Sequence, residues 1–185
     1  VLAMDVQIPI LDNGSSTKDD ALKEEIQEMG SPEASSEVSS IHIDELGDNN
    51  WSETAKNNDW CSGQGTWDDP YVIKNLTITD DTQNYGILIE NSKNVYFQIQ
   101  NCTFETDLGI PQADYAAVKL FNTRNGTLFN NSFSDYDGSG VILEKDCSNN
   151  TIKGNDINGN YHSGIQLKQN CDDNRVIFNE INDNG

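Results

Sequence analysis

Cys147 to Ile157 reads CSNNTIKGNDI, and 24 residues further on Cys171 to Ile181 reads CDDNRVIFNEI. A cysteine, a polar turn, an aliphatic residue and Asn-x-Ile return on one beat. A repeat in the range of roughly 20 to 50 residues belongs to stacked units, each too small to bury its own apolar face. That constraint dominates everything else in the chain.

Four units follow the pattern, beginning GILIENS at Gly86, AVKLFNT at Ala117, GVILEKDC at Gly140 and GIQLKQNC at Gly164. Alignment gives one apolar pair per unit: Ile87/Ile89, Val118/Leu120, Val141/Leu143 and Ile165/Leu167. A second column is Ile99, Leu128, Ile152 and Val176. A third, always five residues later, is Phe104, Phe133, Ile157 and Ile181. The second unit starts late because DLGIPQAD (Asp107 to Asp114) is inserted, and this segment is expected to protrude as a loop. Each unit thus holds three short strands with two-residue alternation, separated by corners. Antiparallel hairpins would scramble the columns. Stacking like over like gives an all-β solenoid, a right-handed parallel β-helix, the hand being that of parallel crossovers.

The corners carry their own pattern. Asn131, Asn155 and Asn179 share one, where stacked amides can bond along the axis. Ser92, Thr123, Cys147 and Cys171 share another, always small. Cys147 and Cys171 therefore fall on adjacent turns at a spacing that suits a disulfide, with Cys61 and Cys102 as the other pair. Free buried thiols are the alternative, since a small cysteine also fits an inward corner.

Ahead of the repeats the pattern changes. Residues 1–40 form an N-terminal extension: a strand over 6–11 (VQIPIL), a short amphipathic helix over 18–29 closed by Gly30, and a linker or extended crossing segment from Ser31 to Ser40. Residues 41–85 are a cap and first coil rich in aromatics, with Trp51, Trp60 and Trp67, and 86–185 are the four repeats. Aromatics gathered at one end suit a lid over the first open layer, because terminal units of a solenoid must be atypical. A carbohydrate-stacking platform is the sharper alternative.

Acidic residues number 31 against 11 basic ones, and the net charge of -20 argues against nucleic acid or an anionic membrane as partner. No apolar run is long enough to cross a bilayer. Val1 in place of Met suits a chain cleaved from a precursor. Seven N-x-S/T sequons, at Asn13, Asn50, Asn75, Asn101, Asn125, Asn130 and Asn149, point to an extracellular glycoprotein carrying covalent N-glycans. Asn125 and Asn149 align at one corner, so their glycans would form a stripe. Asn101 and Asn130 lie beside a core column and are the weaker acceptors.

The residues for catalysis are sparse. Asp68 and Asp69 lie in the cap, His42 and His162 have no basic neighbour, and His162 reads as a turn residue. Asp135, Asp137 and Asp156 could pair across turns, but only coordinates can place them in a groove. No cofactor is expected. A surface Ca2+ is compatible with Asp80-Asp81, Asp135, Asp137 and Asp172-Asp173, although no EF-hand loop is present.

WCSGQGTWDDPYVIKNLTI and ILIENSKNVYFQIQNCTF, with the N-x-I columns, resemble the right-handed β-helix repeat proteins of archaeal cell surfaces. More broadly the chain is similar to the superfamily that includes pectate lyases and polygalacturonases. The likeness covers about residues 41 to 185 and implies fold rather than activity. The function expected is a non-catalytic structural subunit of an extracellular or cell-surface assembly, self-associating into a filament or homo-oligomer through its β-helix ends and N-terminal strand. The alternative is a protein that binds or cleaves polysaccharide.

Overall fold

The computed structural model describes residues 36–80, 84–106 and 114–185. The strand expected over 6–11, the helix over 18–29 and most of the 107–114 insertion lie outside the described residues. So do Asn13 and Asp81.

Three sheets run along one axis. The first comprises β2 (Ile41–Asp44), β6 (Tyr85–Glu90), β9 (Ala116–Phe121), β11 (Ser139–Glu144) and β14 (Ile165–Lys168). The second comprises β3 (Cys61–Ser62), β4 (Tyr71–Lys74), β7 (Phe97–Gln100), β10 (Gly126–Phe129), β12 (Thr151–Lys153) and β15 (Arg175–Ile177). The third side is built from β1 (Ser36–Ser39), β5 (Leu76–Asp80) and β8 (Thr103–Thr106). It continues through bridges at Ser132 to β13 (Asp156–Asn158) and β16 (Glu180–Asn182). Every pairing is parallel except the short β3 against β4. The chain therefore visits each side once per coil, as the repeat columns require.

Register follows those columns. Ile87 lies over Val118, Val118 over Val141 and Val141 over Ile165; Ile99, Leu128, Ile152 and Val176 stack in one row. The Phe104 and Phe133 rings meet at a tilt, 4.8 Å between centroids, and Ile157 pairs Ile181. Each row extends back into the cap through Ile41, Ile73 and Ile78. These side chains are fully buried from Ile43 to Ile157, each layer shielding the next from water.

One expected linker is partly strand. Ser36–Ser39 forms β1, with Val38 over Ile78 and packed on the core. Three polar residues around one valine give no periodic signal, so a neighbouring strand, not the local sequence, makes this segment β.

Helix α1 (Trp51–Asn57) closes the first layer against β2 and β3. Asn50 caps it by accepting from the Glu53 amide at 3.1 Å. Trp51 is the lid: it is completely buried, stacks on Tyr71 at 5.3 Å and Phe97 at 5.0 Å, and donates Nε1–H to Ser92 Oγ at 2.9 Å. Gly126 makes room, since a Cβ there would sit 2.2 Å from the Phe97 ring.

Candidate functional site

The corners decide what the surface offers. Asn131 donates its amide hydrogens to Ile99 O and Asn155 Oδ1, and Asn155 in turn to Leu128 O and Asn179 Oδ1. The backbone N–H of each is received by the Oδ1 of the next, at 2.9 Å. This ladder was legible in the sequence. Two others were not: Asn150 with Asn174, and Asn160 with Asn184, repeat the same bonds 24 residues apart. The 24-residue spacing was the signal for both. It was masked because Asn149 stands beside Asn150 and several other asparagines crowd the corners.

Those other asparagines do a different job. Asn75, Asn101, Asn125, Asn130 and Asn149 all have φ between 51° and 61°, the left-handed region that Asn tolerates better than other side chains. The residue after each is buried, and the next is a half-buried Thr or Ser that pairs with the neighbouring coil in a strand or bridge. An Asn-x-Thr/Ser triplet is thus what a corner followed by a strand demands, so the fold itself accounts for five of the seven sequons.

The sequons then separate by geometry. Asn130 Nδ2 donates to Asn101 Oδ1 at 3.0 Å, and Asn101 Nδ2 to Asn75 Oδ1 at 3.3 Å, so these amides form a further ladder, with Asn130 buried. Asn50 is the cap of α1, and its Nδ2 donates to Gly47 O. Asn125 and Asn149 instead line an open groove of about 520 Å3 with Trp67, Pro70, Tyr96, Phe97, Gln98, Thr127 and Thr151. Trp67 is 76% exposed and stands edge-on to Tyr96 at 5.4 Å. The tryptophans expected to act together therefore divide: Trp51 is lid and Trp67 is surface.

The four cysteines stand as free thiols in this structure, the alternative weighed beside the disulfides, with Cys61, Cys102 and Cys147 buried and Cys171 half-buried. Cys147 and Cys171 do share a corner on adjacent coils, where their side chains hydrogen-bond and act on one another electrostatically. Their sulfurs are turned to backbone carbonyls: Cys147 donates to Leu120 O and Glu144 O at 3.3 Å, and Cys171 to Lys168 O at 3.0 Å. Thr123 does the same with its hydroxyl, to Ile89 O and Phe121 O. The thiol at this corner is a donor to a buried carbonyl, like the residue it replaces one coil below. Cys102 donates to Gln100 O, and Cys61 lies opposite Ile73 across the antiparallel pair. Burial pushes Cys61 up to about 12 and Cys102 and Cys147 up to about 11.

The carboxylates weighed for chemistry are scattered. Glu90 pairs with His42 at 2.8 Å, and Glu144 with Lys119 at 2.8 Å, on the outer face of the first sheet. Asp135 and Asp173 are left-handed corner residues, and the Asp69 backbone closes the turn before Pro70. His162 stands in the turn expected for it, edge-on to Tyr161. Asp156 lies in register with Glu180; burial first, then Glu180, holds its carboxyl above its usual range, against a lowering hydrogen bond from Asn158. Among the described residues no three His, Cys, Asp or Glu side chains are grouped to hold a metal ion, and no helix is long and apolar enough to cross a membrane.

The other distinctive surface is the last coil. Leu167 is 47%, Val176 42% and Ile181 43% exposed, whereas Leu143, Ile152 and Ile157 directly beneath them are at 0%. Backbone N–H groups of Asn150, Asn155 and Asn160 are each received by an asparagine of that coil.

The family profile described as the right handed beta helix region matches residues 60–185. Neither the curated proteins nor the solved structures contain a match to this chain.

Proposed function

The chain belongs to the right-handed β-helix family, and from that architecture we propose that it is a non-catalytic structural subunit of an extracellular or cell-surface assembly, associating with copies of itself through the ends of its β-helix and its N-terminal strand. What supports this reading is the stack itself: parallel strands in unbroken register from Ile41 to Ile165 and from Ile73 to Val176, an architecture that further strands extend. An apolar layer bordered by strand edges favours the addition of further strands. The alternation of Val6, Ile8 and Ile10 supplies a segment that a second copy could lay across it. A contact between unlike surfaces of this kind propagates into a filament unless the rotation closes.

Sedimentation and electron microscopy across a range of protein concentrations test the reading. Assemblies should form with the chain as given and dissolve on Val176→Glu, a change at an exposed position. A protein that stays monomeric at the highest concentration removes the proposal. The competing reading, polysaccharide binding or cleavage, has the Trp67 groove in its favour. Sugar release or retention on a polysaccharide panel would establish it.

A further inference from the structure

Pro70, Tyr96, Asn125 and Asn149 occupy one corner column, each a register partner's neighbour on successive coils, since Tyr71 pairs Phe97 and Phe97 pairs Gly126. Outward from it run Gln98, Thr127 and Thr151, in register on β7, β10 and β12. Trp67 stands over the lower end, with three-quarters of its surface bare and its ring braced by Tyr96. In a chain of net charge -20 this groove is lined by no Asp, Glu, Lys, Arg or His. Amides, hydroxyls and an aromatic face without charge suit a neutral saccharide, whose C–H faces pack on indole while its hydroxyls bond to the amides.

The source of that saccharide lies in the groove itself. Asn149-Asn150-Thr151 is an acceptor sequon whose asparagine is exposed, and no hydrogen bond among the described residues engages its amide. At Asn50, Asn101 and Asn130 the nitrogen that a sugar would substitute already faces a neighbouring carbonyl or amide oxygen. Asn125 shares the column, but successive coils stand only about 4.8 Å apart, so a glycan on one site crowds the other. Asn149 is two coils from Tyr96, about 10 Å, within reach of the innermost sugars of a glycan.

We propose that Asn149 carries an N-linked glycan and that the groove formed by Tyr96, Gln98, Thr127 and Trp67 is the berth of its innermost neutral sugars. Transfer joins Asn149 Nδ2 to the anomeric carbon of a saccharide activated as a polyprenyl phosphate. The C–O bond to phosphate breaks, phosphate keeps the electron pair, and one amide proton leaves. The glycan then covers Trp67, and this holds whether or not the last coil associates.

The full chain is secreted from a host that modifies Asn-x-Ser/Thr sequons, and glycopeptide mass spectrometry reads each site. Asn149 should be occupied and Asn101 and Asn130 bare. Enzymatic removal of the glycan should increase the oxidation of Trp67 by N-bromosuccinimide, read by peptide mapping, while buried Trp51 stays protected. Thr151→Val, which keeps a β-branched residue on β12 and spares the left-handed Asn149 backbone, should abolish both the modification and the protection. Trp67→Ala should leave Asn149 occupied and remove the rise in melting temperature that the glycan confers. An unmodified Asn149 overturns the proposal, as does a Trp67 equally reactive with and without the glycan. Protection of Trp67 by an added neutral oligosaccharide in the unmodified chain, with Asn149 bare, assigns the groove to a free polysaccharide instead.

Discussion

Asn155 Oδ1 accepts two hydrogen bonds from Asn131, one coil below: from its backbone N–H at 2.9 Å and from its side-chain amide at 3.0 Å. The same Asn155 amide donates to Leu128 O at 3.0 Å. One side chain thus satisfies a buried donor and a buried acceptor at a corner where the ladders cannot. Asn155→Leu keeps the branched shape and orphans both groups, and each orphaned buried group costs about 1 to 3 kcal/mol. Urea unfolding should show a loss of about 2 kcal/mol or more; a loss below about 0.5 kcal/mol would mean that water replaces the amide.

Trp51 tests the lid. Trp51→Ala removes the stack on Tyr71 and Phe97 and opens the first layer, and truncation of a buried aromatic costs about 3 to 5 kcal/mol. Trp51→Phe keeps an aromatic ring on the stack and loses the bond to Ser92, worth about 1 kcal/mol, together with the smaller packing loss of one ring. Equal losses in the two variants would show that the hydrogen bond, not the apolar cover, closes the end.

Cysteine chemistry separates thiols from disulfides. Burial keeps Cys61, Cys102 and Cys147 protonated well above neutrality, and a protonated thiol is a poor nucleophile. With a thiol reagent at about pH 8 and no reductant, half-buried Cys171 should react quickly and the other three only as the chain unfolds. In denaturant all four should titrate. A denatured chain that yields fewer thiols carries an oxidised pair, with Cys147 and Cys171 first in line.

Asp156 gives a pH dependence of defined sign. Its folded carboxyl titrates above the unfolded one, so the folded state holds the proton more tightly and stability falls as pH rises through that window. Asp156→Asn removes this burden and the repulsion by Glu180. Its melting temperature should exceed that of the parent at neutral pH, and the gain should shrink as the pH falls below the carboxylate range. A gain that stays constant with pH would assign the effect to something other than the charge.

Much of this molecule was written in its spacing. Three apolar rows, the Asn131 to Asn179 ladder, the small corner at Ser92 and the aromatic lid could all be read by alignment of the chain on itself, because a solenoid repeats its environment at fixed intervals. The sequons could be read too, but not interpreted: in a string such as Asn149-Asn150-Thr151 the outward corner asparagine and the inward ladder asparagine are one residue type. Only φ and the bonding partners distinguish them. The strand at Ser36–Ser39 was hidden for the opposite reason, since its structure is imposed by Ile78 and its neighbours on β5.

What the sequence determined alone is the coil: a period, a two-residue alternation and corners of small and amide side chains admit one way of burying the apolar rows. What the tertiary structure decided is which members of equivalent sets face outward. It buried Trp51 and exposed Trp67, occupied the amides of Asn101 and Asn130, and opened Asn149 to solvent. Composition cannot make those distinctions, because each depends on what the neighbouring coil places within a few ångströms.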